Sequence, residues 1–411
     1  METFVARQPV FNRQREIYGY ELLYRSDPSD EHFDGTEATL ATQQVISTSL
    51  LSIGLDNILC GKKAFINFNE RLLSEGVHQS LPRQDTVIEI LESVEPTADL
   101  IALCRGIRDE GYTIALDDFV SGPRTEPLTH LAQLIKVDVR DTSQGEQERL
   151  LRTYRPRGIS LVAEKVETYE EFEWARTAGY DYFQGYFFAR PGVIRSPQLP
   201  TSTLTCLRLL SEMQNTDLNF KQLEELIRMD VALTYKLLRY VNSALIGRHG
   251  AVQSIKQALV IVGTHRIRQW VALATVSIMA ADKPSELALL SIVRARFCEL
   301  LARSVGRAQG DQAFLMGMLS LLDALLDQPL EEALQSVSLA PEIVEALLGT
   351  AAEQNPLSRV YRLARCYEMA DWDAVKTLAR ACIIPDVTVR NAYVRATVWA
   401  NGVISAASSS A

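Results

Sequence analysis

The sequence predicts an α/β barrel of the TIM-like (β/α)8 type in its first half and an all-α domain in its second. Three observations carry this expectation. Up to about residue 190, short β-branched or aromatic runs alternate with helical stretches, as in βαβ units around a parallel sheet. Polar residues stand in or at the end of nearly every one of those runs. Beyond about residue 200 the apolar residues recur at helical spacing.

The runs give about eight strands, the count of a (β/α)8 barrel. They carry Glu21 in IYGYELLYR, Asn67 in AFINF, Glu89 in TVIEIL and Asp117 with Asp118 in TIALDDF. Lys136 and Asp138 follow in LIKVDV, Glu164 in SLVAEKV and Gln184 in YDYFQGYFF. Helices are expected over 36–55, 96–110 and 169–178. A doubly wound sheet is the rival fold, but it collects ligands at one switch point and not from nearly every strand. Residues 190–201 hold Pro191, Pro197 and Pro200 without periodicity and read as a linker. The boundaries expected are a barrel domain over 1–192, a linker over 193–201 and a helical domain over 202–405. In the helical half Leu233, Leu237, Val241 and Leu245 share one helix face, and 291–301 and 311–326 continue the pattern. Gly310, Pro341 and Pro356 mark helix boundaries.

A chain of 411 residues exceeds one ordinary core, which suits two domains. The formal net charge of -9 argues against broad nucleic-acid or anionic-membrane binding, since phosphate neutralisation needs clustered cations. The six cysteines are scattered without metal-ligand spacing and read as small core residues of a reducing compartment. No signal-like segment opens the chain, and no run reaches the roughly 18 apolar residues of a membrane span. A cytoplasmic protein is expected.

An ionised carboxylate in a buried strand is costly unless a cation compensates it. Any single acid reads equally well as a solvated strand end; the whole succession reads as one site at the barrel mouth. Glu21, Asn67, Glu89 and Asp117 offer oxygen ligands to a hard divalent cation such as Mg2+ or Mn2+. Asp118, facing the other way, would let the pair bridge two metals, an arrangement suited to activating water against a phosphodiester. Lys136 is placed to stabilise charge and Glu164 to accept a proton.

At these residues the chain resembles the EAL family of cyclic-di-GMP phosphodiesterases. Glu21-Leu22-Leu23-Tyr24-Arg25 is similar to the family's ExLxR, and Glu89-Ile90-Leu91-Glu92-Ser93 to ELTES. Asp117-Asp118-Phe119 matches DDF and Lys136-Val137-Asp138 matches KxD. Ala163-Glu164-Lys165-Val166-Glu167-Thr168 is similar to AEGVET, and Gln184-Gly185-Tyr186 to QGY. The resemblance spans roughly residues 3–192 with the motifs in order. It implies metal-dependent hydrolysis of cyclic di-GMP to linear pGpG. It also implies that Glu21, Asn67, Glu89, Asp117 and Asp118 hold the metal, with Glu21, Lys136 and Glu164 catalytic. Arg25, Asp138 and Gln184 fall near the substrate, and Glu92 supports the loop after the paired aspartates. That loop is GTGYSS in the family and couples dimerisation to metal and substrate binding; here it is Val120-Ser121-Gly122-Pro123-Arg124-Thr125. Lys165 stands where the family has glycine. A barrel that binds cyclic di-GMP without turning it over, as sensor or scaffold, is the alternative reading.

The helical half resembles the HDOD domain, a relative of HD phosphohydrolases. Residues 230–244 are similar to its DPxLxxkLLrlaNSA segment, and Ser254-Ile255-Lys256-Gln257-Ala258 with Val262-Gly263 and Arg268 to SIxxAixxLGxxxlR. Ser320 and Leu321 stand where an adjacent His-Asp metal pair is expected. His249 and His265 are the histidines of this half, His265 being expected as a surface or capping residue, and Met316 and Met318 as core. The domain is thus expected to be a non-catalytic module binding protein partners, in an EAL-HDOD signalling protein that could form a homodimer.

Overall fold

The computed structural model describes residues 4–25, 59–190, 209, 220–228, 237, 255–280, 283–305, 309–335, 337, 339–352 and 355–408. The expected helix over 36–55, the linker over 193–201, His249, Cys206 and all of 230–244 but Leu237 lie outside these residues. The chain divides into two compact units: Met1–Arg190 with Cys366–Lys376 and Val389–Ala411, and Pro191–Arg365 with Thr377–Thr388.

In the first unit eight strands close a barrel in sequence order. They are β1 (Phe4–Asn12), β2 (Ile17–Arg25), β3 (Lys63–Phe68), β4 (Thr86–Ile90), β5 (Thr113–Leu116), β6 (Leu134–Asp138), β7 (Ser160–Glu164) and β8 (Tyr182–Gln184). Pairs from β2 to β8 are parallel, as expected. β1 departs from the all-parallel expectation and runs antiparallel to both β2 and β8. Only residues 13–16 join β1 to β2, too few for the crossover that a parallel pair needs. The Asn12 side chain closes this turn by accepting from Gln14 N and Glu16 N, both at 2.9 Å.

One apolar layer fills the barrel, with Val10, Phe65, Val87, Ala115, Leu134 and Val162 each from a different strand and Tyr18 and Tyr182 packed against it. Side chains alternate along a strand, so the residue two positions on points the same way. Two positions beyond Phe65, Val87, Ala115, Leu134, Val162 and Tyr182 stand Asn67, Glu89, Asp117, Lys136, Glu164 and Gln184. The polar ladder is therefore a ring seated directly on the apolar layer, at the strand ends where such barrels build their sites.

The surrounding helices start on local signals. Ala98–Asp109 is capped by Thr97, whose hydroxyl accepts from Leu100 N, and buries Leu100, Cys104 and Ile107. Tyr169–Ala178 opens on a capping box formed by Thr168 and Glu171. Near the C-terminus the same unit gains a buried tyrosine: the Tyr367 hydroxyl accepts from Val5 N at 3.3 Å and donates to Val5 O at 3.0 Å.

The described elements of the second unit are helices. Ser285–Ser304 and Gly310–Leu319 approach so closely that a Cβ on Gly317 would sit 2.7 Å from Ala295 Cα. Helices begin at Gly310, Pro341 and Pro356 as expected, and Met316 and Met318 are fully buried. The helix expected over 311–326 breaks at Ser320 and Leu321, where the Ser320 hydroxyl turns back to donate to Gly317 O at 2.7 Å. Among the described residues no helix is long and apolar enough to cross a membrane. Of the described cysteines, Cys60 is exposed and Cys366 half-buried, and both depart from the expectation of a core residue.

Candidate metal-binding and catalytic site

At the centre of the ring stands Lys136, with 1% of its side chain exposed. Its Nζ lies 2.7 Å from Glu89 Oε1, 2.8 Å from Asp117 Oδ1, 2.9 Å from Glu164 Oε1 and 3.2 Å from Glu21 Oε2. Four strands thus aim carboxylates at one ammonium. Glu21 also accepts from Asn67 Nδ2 at 3.0 Å and from Gln184 Nε2 at 2.6 Å, and Gln184 reaches Gln8 at 3.0 Å. The sequence placed Glu21, Asn67, Glu89, Asp117, Lys136, Glu164 and Gln184 at one site, and the fold brings them together. Gln8 was missed because β1 reads as an ordinary apolar strand; only its antiparallel register puts it beside Gln184.

Electrostatics divides these acids. Burial alone would raise the Glu21 carboxyl, but Lys136 and the amides of Gln184 and Asn67 hold it below its ordinary value. Burial drives Glu89 well above the carboxylate range, and the charge of Glu21 adds to the effect. Burial likewise raises Asp117 against the pull of Lys136. Glu164 is pushed by burial up to about 8, with Lys136 opposing. Burial works against the Lys136 ammonium, yet Glu164, Glu21, Glu89 and Asp117 together keep it protonated far above its usual range.

Asp118 is exposed, and its backbone is left-handed with φ 40°. Glu92, expected to support the loop, lies near its start: burial and then the charges of Asp118 and Asp117 raise the Glu92 carboxyl. The loop itself is held by Arg124 on Glu95 at 2.7 Å and by the Thr125 hydroxyl on Val120 O at 2.8 Å. Val120 keeps a negative φ and is 77% exposed, so valine replaces the family's glycine here without strain. Arg25 closes β2, and its side chain lies outside the described residues.

Glycine is required immediately after Gln184. Gly185 has φ 145°, and a Cβ there would lie 2.0 Å from Val166 O. For Val166 to meet β8 in this way, through Val166 N to Gln184 O at 3.0 Å, the chain turns sharply after Glu164. Lys165 makes that turn with φ 56°. This explains why glycine suits the position; a lysine held left-handed costs about 1 kcal/mol. Its ammonium does not reach inward to Glu164 but pairs with Asp138 Oδ2 at 2.5 Å. Asp138 also accepts from Arg140 N at 2.8 Å and Asp141 N at 3.1 Å. Burial opposes its ionised form, but the Lys165 contact and these amides keep its carboxyl below the ordinary value.

The donor set fits a hard divalent cation. It is oxygen-rich, and Glu89 Oε2 and Gln184 Oε1 are buried without a hydrogen-bond partner. A second cluster was not expected from the sequence: His265, Glu299 and Asp311, from three helices of the second unit, come within reach of one cation. Its charges are already balanced. Glu299 is paired by Arg296 at 2.6 Å and Arg303 at 2.8 Å, and Asp311 by Arg303 at 3.4 Å and Arg268 at 3.8 Å. His265, expected to be a surface or capping residue, is half-exposed and lies 2.9 Å from Asp311 Oδ1. Ser320, at the expected place of an HD-type ligand, is buried and accepts from Arg294 Nη1 at 2.8 Å.

Fold and site together define a closed barrel with a carboxylate ring at its mouth, joined in one chain to a helical second unit. The chain matches the EAL domain over residues 36–191 and the HDOD domain over residues 199–344. It is 36% identical over 377 residues to the cyclic di-GMP phosphodiesterase CdgJ of Vibrio cholerae serotype O1, covering 91% of this chain and 87% of that protein. To YuxH of Bacillus subtilis it is 34% identical over 414 residues, covering 99% of this chain and all of that protein (100%). Among solved structures, a standalone EAL protein of Vibrio cholerae O395 in its c-di-GMP-bound form shares 25% identity at a TM-score of 0.37, over 46% of this chain and 92% of that one. Klebsiella pneumoniae BlrP1 in a calcium and cyclic-di-GMP complex shares 24% at 0.39, over 47% of this chain and 56% of that one. The chain belongs to the EAL-HDOD family.

Proposed function

We propose that this protein is a cytoplasmic cyclic-di-GMP phosphodiesterase that opens its substrate to linear pGpG. The observation that carries the reading is the convergence of Glu21, Glu89, Asp117 and Glu164 on Lys136 at the barrel mouth. A relative covering most of the chain is named for that activity.

Hydrolysis joins a water oxygen to one phosphorus, breaks one ester P–O bond and leaves a proton on the departing sugar oxygen. Glu21, Asn67, Glu89 and Asp117 would hold a divalent cation, Mg2+ or Mn2+, and Asp118 a second. When bound, these ions supply Lewis-acid chemistry, lowering the pKa of a water and offsetting phosphate charge. Glu164, held 2.9 Å from Lys136 at the edge of the ring, accepts the water's proton. Lys136 offsets the negative charge that grows on the phosphoryl oxygens. Gln184 fixes the orientation of Glu21. Arg25 and Asp138 lie near the substrate. The second unit serves as a regulatory module for protein partners, since arginines already satisfy its acids.

The rewritten loop, tied through Arg124 to Glu95, favours a second reading: binding without turnover. One assay separates the two. Full-length protein with Mg2+, Mn2+ or no metal is incubated with cyclic di-GMP and pGpG is quantified, with binding measured in Ca2+ on the same sample. Metal-dependent pGpG, abolished by Glu21→Ala, is expected. Folded, metal-loaded protein that binds but makes no pGpG overturns the enzymatic reading in favour of sensing.

A further inference from the structure

Lys165 is the feature of the mouth that neither the ring nor the expected chemistry accounts for. The backbone after Glu164 must turn left-handed to bring Val166 against β8, and glycine would make that turn without strain. A strained side chain held at a site mouth points to a use for that side chain. Here it carries a charge. The mouth is strongly acidic, and the substrate of the proposed reaction carries two phosphodiester charges. Lys136 is buried and already faces four carboxylates, so it offers little to a phosphate held at the rim of the mouth. Lys165, one residue beyond the base, has 56% of its side chain exposed.

We propose that Lys165 is a substrate-binding residue of this barrel: its ammonium leaves Asp138 and takes a non-bridging phosphate oxygen of the incoming dinucleotide. The exchange is cheap for two reasons. The Lys165 end of the pair is open to water while Asp138 is buried, so moving the ammonium costs little desolvation. Asp138 also stays satisfied without Lys165, since its other oxygen accepts from the Arg140 and Asp141 amides. In return the phosphate gains a charge-assisted hydrogen bond beside Glu164.

This inference rests on cyclic di-GMP being the ligand, and the test separates the two. Calorimetric Kd for cyclic di-GMP in Ca2+ at two salt concentrations, and kcat and KM in Mn2+, are measured on full-length wild type, Lys165→Met, Lys165→Arg and Lys165→Gly. Loss of one charge-assisted contact should raise Kd and KM about tenfold in the Met and Gly variants. Their kcat should fall less than about twofold, and the salt dependence of Kd should become shallower. Arginine should restore affinity to within about threefold. Lys165→Gly relieves the backbone as it removes the charge, so lost affinity there cannot come from misfolding. Wild type that binds while the Met and Gly variants bind equally well overturns the role of Lys165 alone. A kcat loss at unchanged KM also overturns it, because Lys165 would then act through Glu164. Wild type that binds no cyclic di-GMP overturns the functional reading and this inference together.

Discussion

Two clusters of acids in this molecule look alike as a catalogue of residues and differ in charge. At the barrel mouth four carboxylates face one ammonium. In the helical unit Glu299 and Asp311 face Arg268, Arg296 and Arg303. The first arrangement sets four carboxylates against one ammonium, an excess of negative charge, which is what a divalent cation needs. In the second a cation would have to evict guanidinium groups that already neutralise the acids. Counting ligand-type residues within reach of one another therefore does not identify a metal centre; the balance of charge around them does.

The largest effect that sharpens this contrast is chemical. Glu164→Gln keeps the size of the side chain and removes the base, so kcat for cyclic di-GMP should fall by 10²–10⁴, roughly the worth of general base catalysis. Thermal melts should show the variant folded, and a kcat within tenfold of wild type would remove Glu164 from its role. The matching change in the other cluster, Glu299→Gln, should leave metal binding intact and cost stability. It strips a buried carboxylate from Arg296 and Arg303, whose own side chains reach water, a loss of about 1 kcal/mol that denaturant unfolding would read out. If Glu299→Gln instead abolished binding of a divalent cation, the helical cluster would be the metal site and the contrast would be inverted.

Metal addition gives the next largest effect. A cation at 100 times its Kd stabilises the folded state by about 2.7 kcal/mol if it binds only there. Titrating Mn2+ into full-length protein should raise its melting temperature, and Glu21→Ala should erase the rise. A rise that survives Glu21→Ala but vanishes in Asp311→Asn would again move the site to the helical unit.

The contrast also shows how much the sequence could tell. The barrel ring was legible because strands have a period of two and most rungs follow an apolar layer residue by two positions, as Glu89 follows Val87 and Glu164 follows Val162, Glu21 after Gly19 being the exception. Gln8 was not legible, since the antiparallel entry of β1 sets its register. The His265, Glu299 and Asp311 cluster was invisible because helix packing, not spacing along the chain, assembles it. Lys165 stood out as a departure from a motif, but its direction depended on a left-handed turn that no local pattern announces.

His78 completes the comparison as a titratable group buried with no counter-charge in contact. It is 2% exposed, its ring nitrogens have no hydrogen-bond partner, and Glu110 lies 3.9 Å away. Burial pushes its pKa below the ordinary 6.5, against the weaker pull of Glu110. The unfolded chain therefore binds this proton more readily than the folded one between the depressed value and 6.5. Its contribution to stability is complete above 6.5 and is lost as pH falls through that window, with a slope of at most about 1.4 kcal/mol per pH unit. His78→Phe keeps an aromatic ring against Tyr112, which His78 meets edge-on at 5.3 Å, and removes the titration. Because the acids of the barrel ring titrate in both proteins, the wild-type minus variant difference isolates His78. Denaturant midpoints at pH 7.5, 6.5 and 5.5 should show that difference shrinking or reversing as the pH falls. A difference constant across the three would mean that His78 keeps its ordinary pKa despite its burial.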